Sequence, residues 1–294
     1  MNEDPSVKAI CPLFNFQISE VLVGNYTHEE TMGYFNALRK RLEQGIKILD
    51  DVRIRRIREE DFNRIKKSGF FPSRTEIFSR IGRRTFVIEV MQREFDAKKI
   101  ELIIYKILLS LRLYKAQDVF CKVIWFEKKS KVNILTILDS PLPDLIGYDP
   151  YVIEIHEVGK IKKLAKRINK INFGRRNSLR IACERFSRSY EEHREDDEII
   201  DFMIAFESLF LKGKTAPSNA GQFIGLGCSM LLGKNGKERE EINEFLVEAY
   251  KIRNKIVHGS EFITSIKIHR KTWKIEDFVS QLQKYLRESI MRLM

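Results

Sequence analysis

An arginine and a histidine lie five residues apart near the end of a segment with helical periodicity: Arg253 and His258, directly followed by Gly259. Histidine can transfer protons near neutral pH, and arginine can neutralise the negative charge around a phosphorus atom under attack. These residue types therefore suit the cleavage of RNA without a metal ion. In that chemistry the histidine acts on the 2′-hydroxyl or on the leaving oxygen.

A straight helix would not let one copy of the chain use both residues together. A side chain five positions further on is rotated by about 140° around the helix axis, so Arg253 and His258 point in different directions. Asn254 lies four residues before His258 and shares its face instead. The pair could act together if the helix is distorted near its end, or if a second protomer completes the site. The second solution is the more economical, and we expect a homodimer.

The spacing alone is weak evidence, because Arg188 and His193 have the same separation. Two glutamates lie between them and further acids follow His193, so this second pair would repel a phosphate. We interpret it as a solvated helix end. The case for Arg253 and His258 must therefore come from their context.

Two predicted helices provide that context. The apolar pattern predicts one helix over residues 237–257, and Gly259 is typical of a residue that ends a helix. On an earlier helix, Glu207 lies on an apolar stripe, where a carboxylate costs free energy unless it is paired. The stripe also contains Ile200, Met203, Phe206 and Phe210. We expect Arg253 to be the partner of Glu207; the alternative is a glutamate at the edge of the stripe that reaches solvent.

The first half of the chain alternates short apolar strands with amphipathic helices. Strands are predicted near residues 13–23, 52–57, 86–90, 119–126, 132–138 and 151–158, and helices over 27–49, 59–68 and 98–114. From residue 159 onward the pattern is helical. We therefore predict an α+β protein, with a mixed α/β domain for recognition or regulation over residues 1–150 and an all-α helical bundle over residues 159–294.

The chain is basic, with 53 Lys and Arg residues against 41 Asp and Glu residues. This balance favours a phosphate-bearing partner or an anionic surface, and basic residues that serve solubility alone are the alternative. Residues 53–84 combine basic and aromatic residues, and the arginines near residue 55 suggest a strand with one basic face. Residues 160–180 contain nine basic residues and no acid. Both runs could bind phosphates, or they could be solvated faces over an ordinary core.

The four cysteines, Cys11, Cys121, Cys183 and Cys228, lie far apart and show no paired spacing. This pattern predicts neither a zinc site nor a disulfide framework, and it favours a reducing compartment. The N-terminus lacks the pattern of a secretory signal, and no apolar run is long enough to cross a bilayer. We expect a cytoplasmic protein with no membrane contact, no metal and no cofactor.

The segment from Tyr250 to Gly259, read Tyr-Lys-Ile-Arg-Asn-Lys-Ile-Val-His-Gly, resembles the signature of HEPN domains. In that signature an arginine, usually followed by a polar residue, precedes a histidine by four to six residues. Upstream, residues 204–210 are similar to the segment that carries an acidic residue in the Apea-like branch of the HEPN superfamily. The resemblance covers about residues 175–294.

The resemblance implies a helical bundle that dimerises and, in many members, cleaves RNA without metal, in antiviral defence, toxin systems or RNA processing. Arg253 and His258 match the catalytic pair, Asn254 the polar position and Glu207 the acidic position. A metal-independent endoribonuclease that leaves 2′,3′-cyclic phosphate ends is the first hypothesis. A regulatory protein or a small molecule would then dock on the N-terminal domain.

Some relatives in the superfamily are binding or scaffold modules, and one transfers nucleotides. The second hypothesis is therefore a non-catalytic RNA-binding or protein-interaction module, in which Arg253, Glu207 and His258 form a structural cluster. A DNA-binding regulator built on residues 53–84 is a third, although no recognition helix supports it.

Overall fold

The computed structural model describes residues 7–19, 32, 36–37, 40–67, 85–121, 123–128, 131–137, 150–191, 194–211, 219–259, 265–268 and 271–294. The chain forms two compact units, Met1–Lys170 and Ile171–Met294. The first unit is built on an antiparallel sheet and the second consists mostly of helices. The predicted α+β class is therefore confirmed.

The first unit contains a six-stranded sheet in the order β3-β4-β5-β1-β6-β7, with every neighbouring pair antiparallel. A second, parallel pair joins β2 to β8. The strands are β1 (Val7–Leu13), β2 (Phe16–Ser19), β3 (Ile46–Leu49), β4 (Val52–Arg56), β5 (Phe86–Gln92), β6 (Val123–Lys128), β7 (Lys131–Ile137) and β8 (Tyr151–Glu154). Three of its helices are α1 (Glu59–Lys67), α2 (Ala97–Tyr114) and α3 (Val158–Asn169), and residues 40–44 are also helical.

Helices cover both faces of this sheet, because the central strands carry apolar residues at nearly every position. Successive side chains of a strand point to opposite faces. In β5, Ile88 therefore joins one core with apolar residues of α2 and α3, and Val87 joins the other with Ile65 of α1. Helix α2 begins where the Asp96 side chain accepts a hydrogen bond from the backbone N–H of Lys99, at 3.0 Å.

Helix α3 belongs to the first compact unit, whereas the sequence predicts that the second domain begins with this helix at residue 159. The chain divides after Lys170 instead. The apolar stripe of α3, with Val158, Ile161 and Ala165, is buried in the same core as β1 and β5. Helical periodicity indicates that such a stripe exists, but it does not indicate which core buries it.

The expected basic face of β4 is also wrong at Arg55, whose side chain is fully buried. Its Nε donates to Oε2 of Glu89 at 2.8 Å, and its Nη2 lies 2.7 Å from Oδ2 of Asp61 on α1. Arg53, two residues earlier on the same face of β4, is exposed. Residues 68–84, the larger part of the basic and aromatic stretch, lie outside the described residues.

A disulfide joins Cys11 in β1 to Cys121, with a Cα–Cα distance of 6.4 Å. This bond contradicts the expectation drawn from the cysteine spacing. The two residues are 110 positions apart and become neighbours only when β1 pairs with β6, so the sequence gives no pairing signal. The expectation of a reducing compartment stays a prediction, since Cys183 and Cys228 are free thiols.

The second unit contains five helices and one hairpin among the residues that the structure describes there. The hairpin is added to the expected helical bundle. The helices are α4 (Asn177–Arg188), α5 (Glu195–Phe210), α6 (Ala220–Leu232), α7 (Gly236–Val257) and α8 (Ile275–Leu293), and the hairpin strands are β9 (Ser265–Ile268) and β10 (Lys271–Lys274).

Helix α7 is the long helix predicted over residues 237–257, and it packs against α5 and α6. The Asn235 side chain caps its start by accepting from the backbone N–H of Glu238 at 2.9 Å. Phe245 stacks on Phe278 of α8, with ring centroids 4.7 Å apart. On its other side α7 approaches α6 closely, since a Cβ at Gly225 would lie only 2.7 Å from the backbone oxygen of Asn243. These contacts fix the position of α7.

No helix within the described ranges is both long enough and apolar enough to cross a membrane.

Candidate functional site

The C-terminal end of α7 carries the candidate site. The helix is regular through Val257, and the backbone N–H of His258 donates to the carbonyl oxygen of Asn254 at 3.0 Å. Gly259 then adopts a left-handed conformation with φ of 76°, which most side chains disfavour. The prediction that Gly259 ends this helix is confirmed, and His258 stands exposed at the helix end.

Glu207 near the end of α5 forms the predicted ion pair with Arg253 of α7. Nη2 of Arg253 lies 3.7 Å from Oε1 of Glu207, and the two side chains are 23% and 24% exposed. The distance is longer than a hydrogen bond, so the pair is electrostatic and loosely held. The alternative of a glutamate that simply reaches solvent does not describe this half-buried side chain.

Burial raises the pKa of the Glu207 carboxyl, and the charge of Arg253 opposes this effect without cancelling it. The carboxyl therefore holds a proton more readily than a carboxyl in water. Its negative charge stabilises Arg253 less than a directly bonded carboxylate would.

The Arg253 guanidinium is only partly satisfied by its surroundings. Nη1 donates to Oδ1 of Asn254 at 3.1 Å. Nε is buried, and it has no hydrogen-bond acceptor among the described residues. Buried donors are usually paired, so Nε is unsatisfied in this arrangement, and an incoming phosphate could meet only the part of the side chain that is exposed, 23% of it.

The structure brings Glu207, Arg253 and Asn254 together, but it does not add His258 to them within one protomer. Because α7 stays helical to Val257, the side chain of His258 is rotated by about 140° from that of Arg253. The distorted helix end, one of the two arrangements that would let the pair act together, is therefore absent. The Asn254 side chain, expected on the face of His258, contacts Arg253 instead.

Of the second pair, Arg188 and His193, only Arg188 lies among the described residues, and its contacts are those of a structural helix end. Nε of Arg188 lies 3.6 Å from Oδ2 of the buried Asp201, which also accepts a hydrogen bond from Arg185 at 2.7 Å. These contacts tie α4 to α5. His193 lies outside the described residues.

A cationic group in the first unit was missed by the sequence reasoning. Lys162 of α3 lies close enough to Arg41, Lys166 and Lys47 for their charges to lower its pKa. The basic run of α3 was a sequence signal, but its approach to β3 depends on packing between elements more than 100 residues apart.

Among the described residues, no group of three or more His, Cys, Asp or Glu side chains is arranged to hold a metal ion. Comparisons of the chain with models of known protein families, with curated proteins and with solved structures find no match. The resemblance to HEPN domains therefore rests on the residues from Tyr250 to Gly259 and on Glu207.

Proposed function

We propose that the protein is a metal-independent endoribonuclease of the HEPN type, active as a cytoplasmic homodimer in defence, as a toxin or in RNA processing. The Arg253 guanidinium carries the proposal. It is held near the end of α7 by a loose ion pair and one amide, it keeps a donor without a partner among the described residues, and an exposed histidine follows on the same helix.

The reaction would be an internal transesterification. The 2′-oxygen of a ribose loses its proton, attacks the neighbouring phosphorus and displaces the 5′-oxygen of the next nucleotide. The products are a 2′,3′-cyclic phosphate and a 5′-hydroxyl. His258 would take the proton of the 2′-hydroxyl or give one to the leaving oxygen, and Arg253 would neutralise the charge on the phosphoryl oxygens.

Glu207 and Asn254 would act as positioning residues for Arg253. The carboxyl holds one side of the guanidinium without a direct hydrogen bond, and the amide oxygen accepts from Nη1. A tightly paired arginine would have little capacity for substrate. This loose arrangement orients the group and leaves it able to bind a phosphate.

A second copy of the chain is part of this proposal, because the regular end of α7 separates the two side chains. A two-fold axis near the helix ends would place Arg253 of one copy beside His258 of the other.

The proposal is tested by incubating a fluorescent single-stranded RNA with the full chain in excess chelator. We expect cleavage products with cyclic phosphate ends, which resist phosphatase until acid opens the ring. Loss of the proton-transferring group should lower the rate by about 10²-fold or more in His258→Ala, with an unchanged melting temperature. His156→Ala removes an exposed histidine of the first unit and is the matched control. Full activity in His258→Ala would exclude the proposed site.

The half-buried Glu207–Arg253 pair favours one alternative, a non-catalytic RNA-binding or protein-interaction module in which the pair ties α5 to α7. In that case the wild-type protein binds RNA without cutting it. Arg253→Ala would then lower the free energy of unfolding by about 1–3 kcal/mol, because Glu207 would lose its partner. The ribonuclease hypothesis instead expects cleavage to be lost in a variant that melts close to the wild-type temperature.

A further inference from the structure

The outer surface of α3 is a row of cations in the first unit. Val158, Ile161 and Ala165 face the core, and helix α3 contains no acidic residue. The exposed residues of the row are Lys160, Lys163, Lys166 and Arg167. At 1.5 Å per residue, the row extends about 10 Å along the helix axis. This length exceeds what one bound phosphate would require.

A second segment adds charge to this row. Helix α3 packs against the edge strand β3, which carries the exposed Lys47, and Arg41 lies just before that strand. The charges of Arg41 and Lys47 act on Lys162 of α3. The cationic surface is therefore formed by two parts of the chain, and we define it as α3 together with Arg41 and Lys47.

The charges of this surface repel one another. Burial lowers the pKa of Lys162, and the charges of Arg41, Lys166 and Lys47 lower it further. Asp50 is 2.8 Å from Lys47, but its side chain is fully exposed, where an ion pair contributes little. Glu43 is a further carboxylate in these segments. The cations outnumber these two acids, so an external anion would relieve the repulsion.

The composition of the surface identifies the kind of anion. Lysines predominate, and an ammonium group binds phosphate as a point charge without the planar geometry that reads a base. The apolar stripe of α3 is buried and Leu164 is only partly exposed, so this helix has no exposed apolar face to insert into a bilayer. A polyanion whose charges lie in a row fits the surface better than a membrane does.

We propose that the cationic surface of α3 and β3 binds the phosphate backbone of single-stranded RNA without sequence preference. The choice of RNA rests on the proposed function, whereas the site is separate from Arg253 and His258. It gives the first unit the role of holding the substrate.

The test measures the anisotropy of a fluorescent 20-nucleotide RNA with full-length His258→Ala protein, so that binding is followed without cleavage. Charge reversal of two exposed residues, Lys163→Glu with Arg167→Glu, should weaken binding at least tenfold near 0.1 M salt. The slope of log affinity against log salt concentration should fall by about 1.4, since each lost single-strand phosphate contact contributes about 0.7. Lys162→Glu with Lys166→Glu is the second pair. It should give the same result if circular dichroism shows an unchanged fold.

The matched control reverses two exposed lysines of the second unit, Lys234→Glu with Lys237→Glu, and changes the net charge equally. Equal weakening by the control and the α3 pairs would reduce the effect to net charge and overturn the proposal. The proposal is also overturned if the His258→Ala protein does not bind RNA. It is overturned as well if single-stranded DNA of the same sequence, or phosphatidylserine vesicles, bind this protein more tightly than the RNA does. Cleavage by the wild-type chain is scored separately, so a failed surface and a failed active site give different results.

Discussion

At the scale of single residues, Glu207 is a half-buried carboxyl group, and burial disfavours its charged form. Burial raises the pKa of this carboxyl, so the folded chain binds a proton there more readily than the unfolded chain does. The free energy of unfolding therefore falls as the pH rises above the ordinary pKa of 4.5. A carboxylate kept at such a position opposes stability near neutral pH, and it needs another explanation. Positioning of Arg253 provides one.

Glu207→Gln separates positioning from stability. At pH 7 we expect a melting temperature equal to or above that of the wild type, because the amide carries no charge to desolvate. The difference should shrink as the pH falls towards 4, where the wild-type carboxyl is protonated. RNA cleavage should fall by about ten- to a hundredfold, because Arg253 is less well oriented. Glu184→Gln removes a carboxylate from an exposed ion pair and should change neither the melting temperature nor the cleavage rate. A Glu207→Gln protein that melts lower at pH 7 and cleaves normally would contradict the positioning role.

Arg55 provides a stability prediction in the first unit. Arg55→Met would leave Glu89 and Asp61 buried without their shared partner, at a cost of about 3–5 kcal/mol. Arg53→Met, at an exposed residue of the same strand, should cost less than about 0.5 kcal/mol. Urea unfolding followed by the fluorescence of the buried Trp125, with Trp273→Phe in all variants, reports on this unit. Equal costs for the two substitutions would show that the buried pairs contribute nothing.

The same substitution should alter the response to acid. Burial by itself would raise the pKa of Asp61, but Arg55 and Lys8 outweigh it and lower the pKa. The stability from this lowered pKa is present above the ordinary value of 3.8 and is lost as the pH falls below it. Arg55→Met should therefore lose less stability than the wild type between pH 5 and pH 2.

At the scale of elements, the end of α7 determines where His258 stands. Gly259 has a φ of 76°, and a Cβ there would meet no atom within 4 Å, so the cost of Gly259→Ala comes from the backbone alone. We expect a loss of about 1 kcal/mol and reduced cleavage, as the helix end shifts. Gly236→Ala, at an equally open position without positive φ, is the control. It should leave the free energy of unfolding and the cleavage rate unchanged. Normal cleavage in a destabilised Gly259→Ala protein would mean that this helix end does not position the histidine.

Elements with strong periodicity could be predicted from the sequence, and the partners of those elements could not. Helix α7 and its glycine stop follow from local spacing, and the pairing of Glu207 with Arg253 is the exception, since it follows from the cost of an unpaired carboxylate on an apolar stripe. Burial of Arg55 depends on α1 covering β4, and the Cys11–Cys121 bond depends on the order of strands in the sheet. Those contacts link distant segments, so spacing carries no signal for them.

At the scale of the whole molecule, the proposed site takes one residue from each of two copies. If Arg253 acts with His258 of a second copy, Arg253→Ala and His258→Ala proteins are each inactive. A mixed dimer of the two then contains one site with both wild-type residues and one site with neither. Random exchange makes half of the dimers mixed, so the mixture should recover about a quarter of wild-type activity.

This recovery requires that one copy supplies Arg253 and the other supplies His258, so a higher total protein concentration alone would not produce it. Mixing His258→Ala with the double variant Arg253→Ala/His258→Ala restores no site and should remain inactive. Sedimentation of the mixed sample checks that dimers form and exchange. If the wild type cleaves RNA and the exchanged mixture does not, each protomer holds its own complete site, and the end of α7 must rearrange when substrate binds.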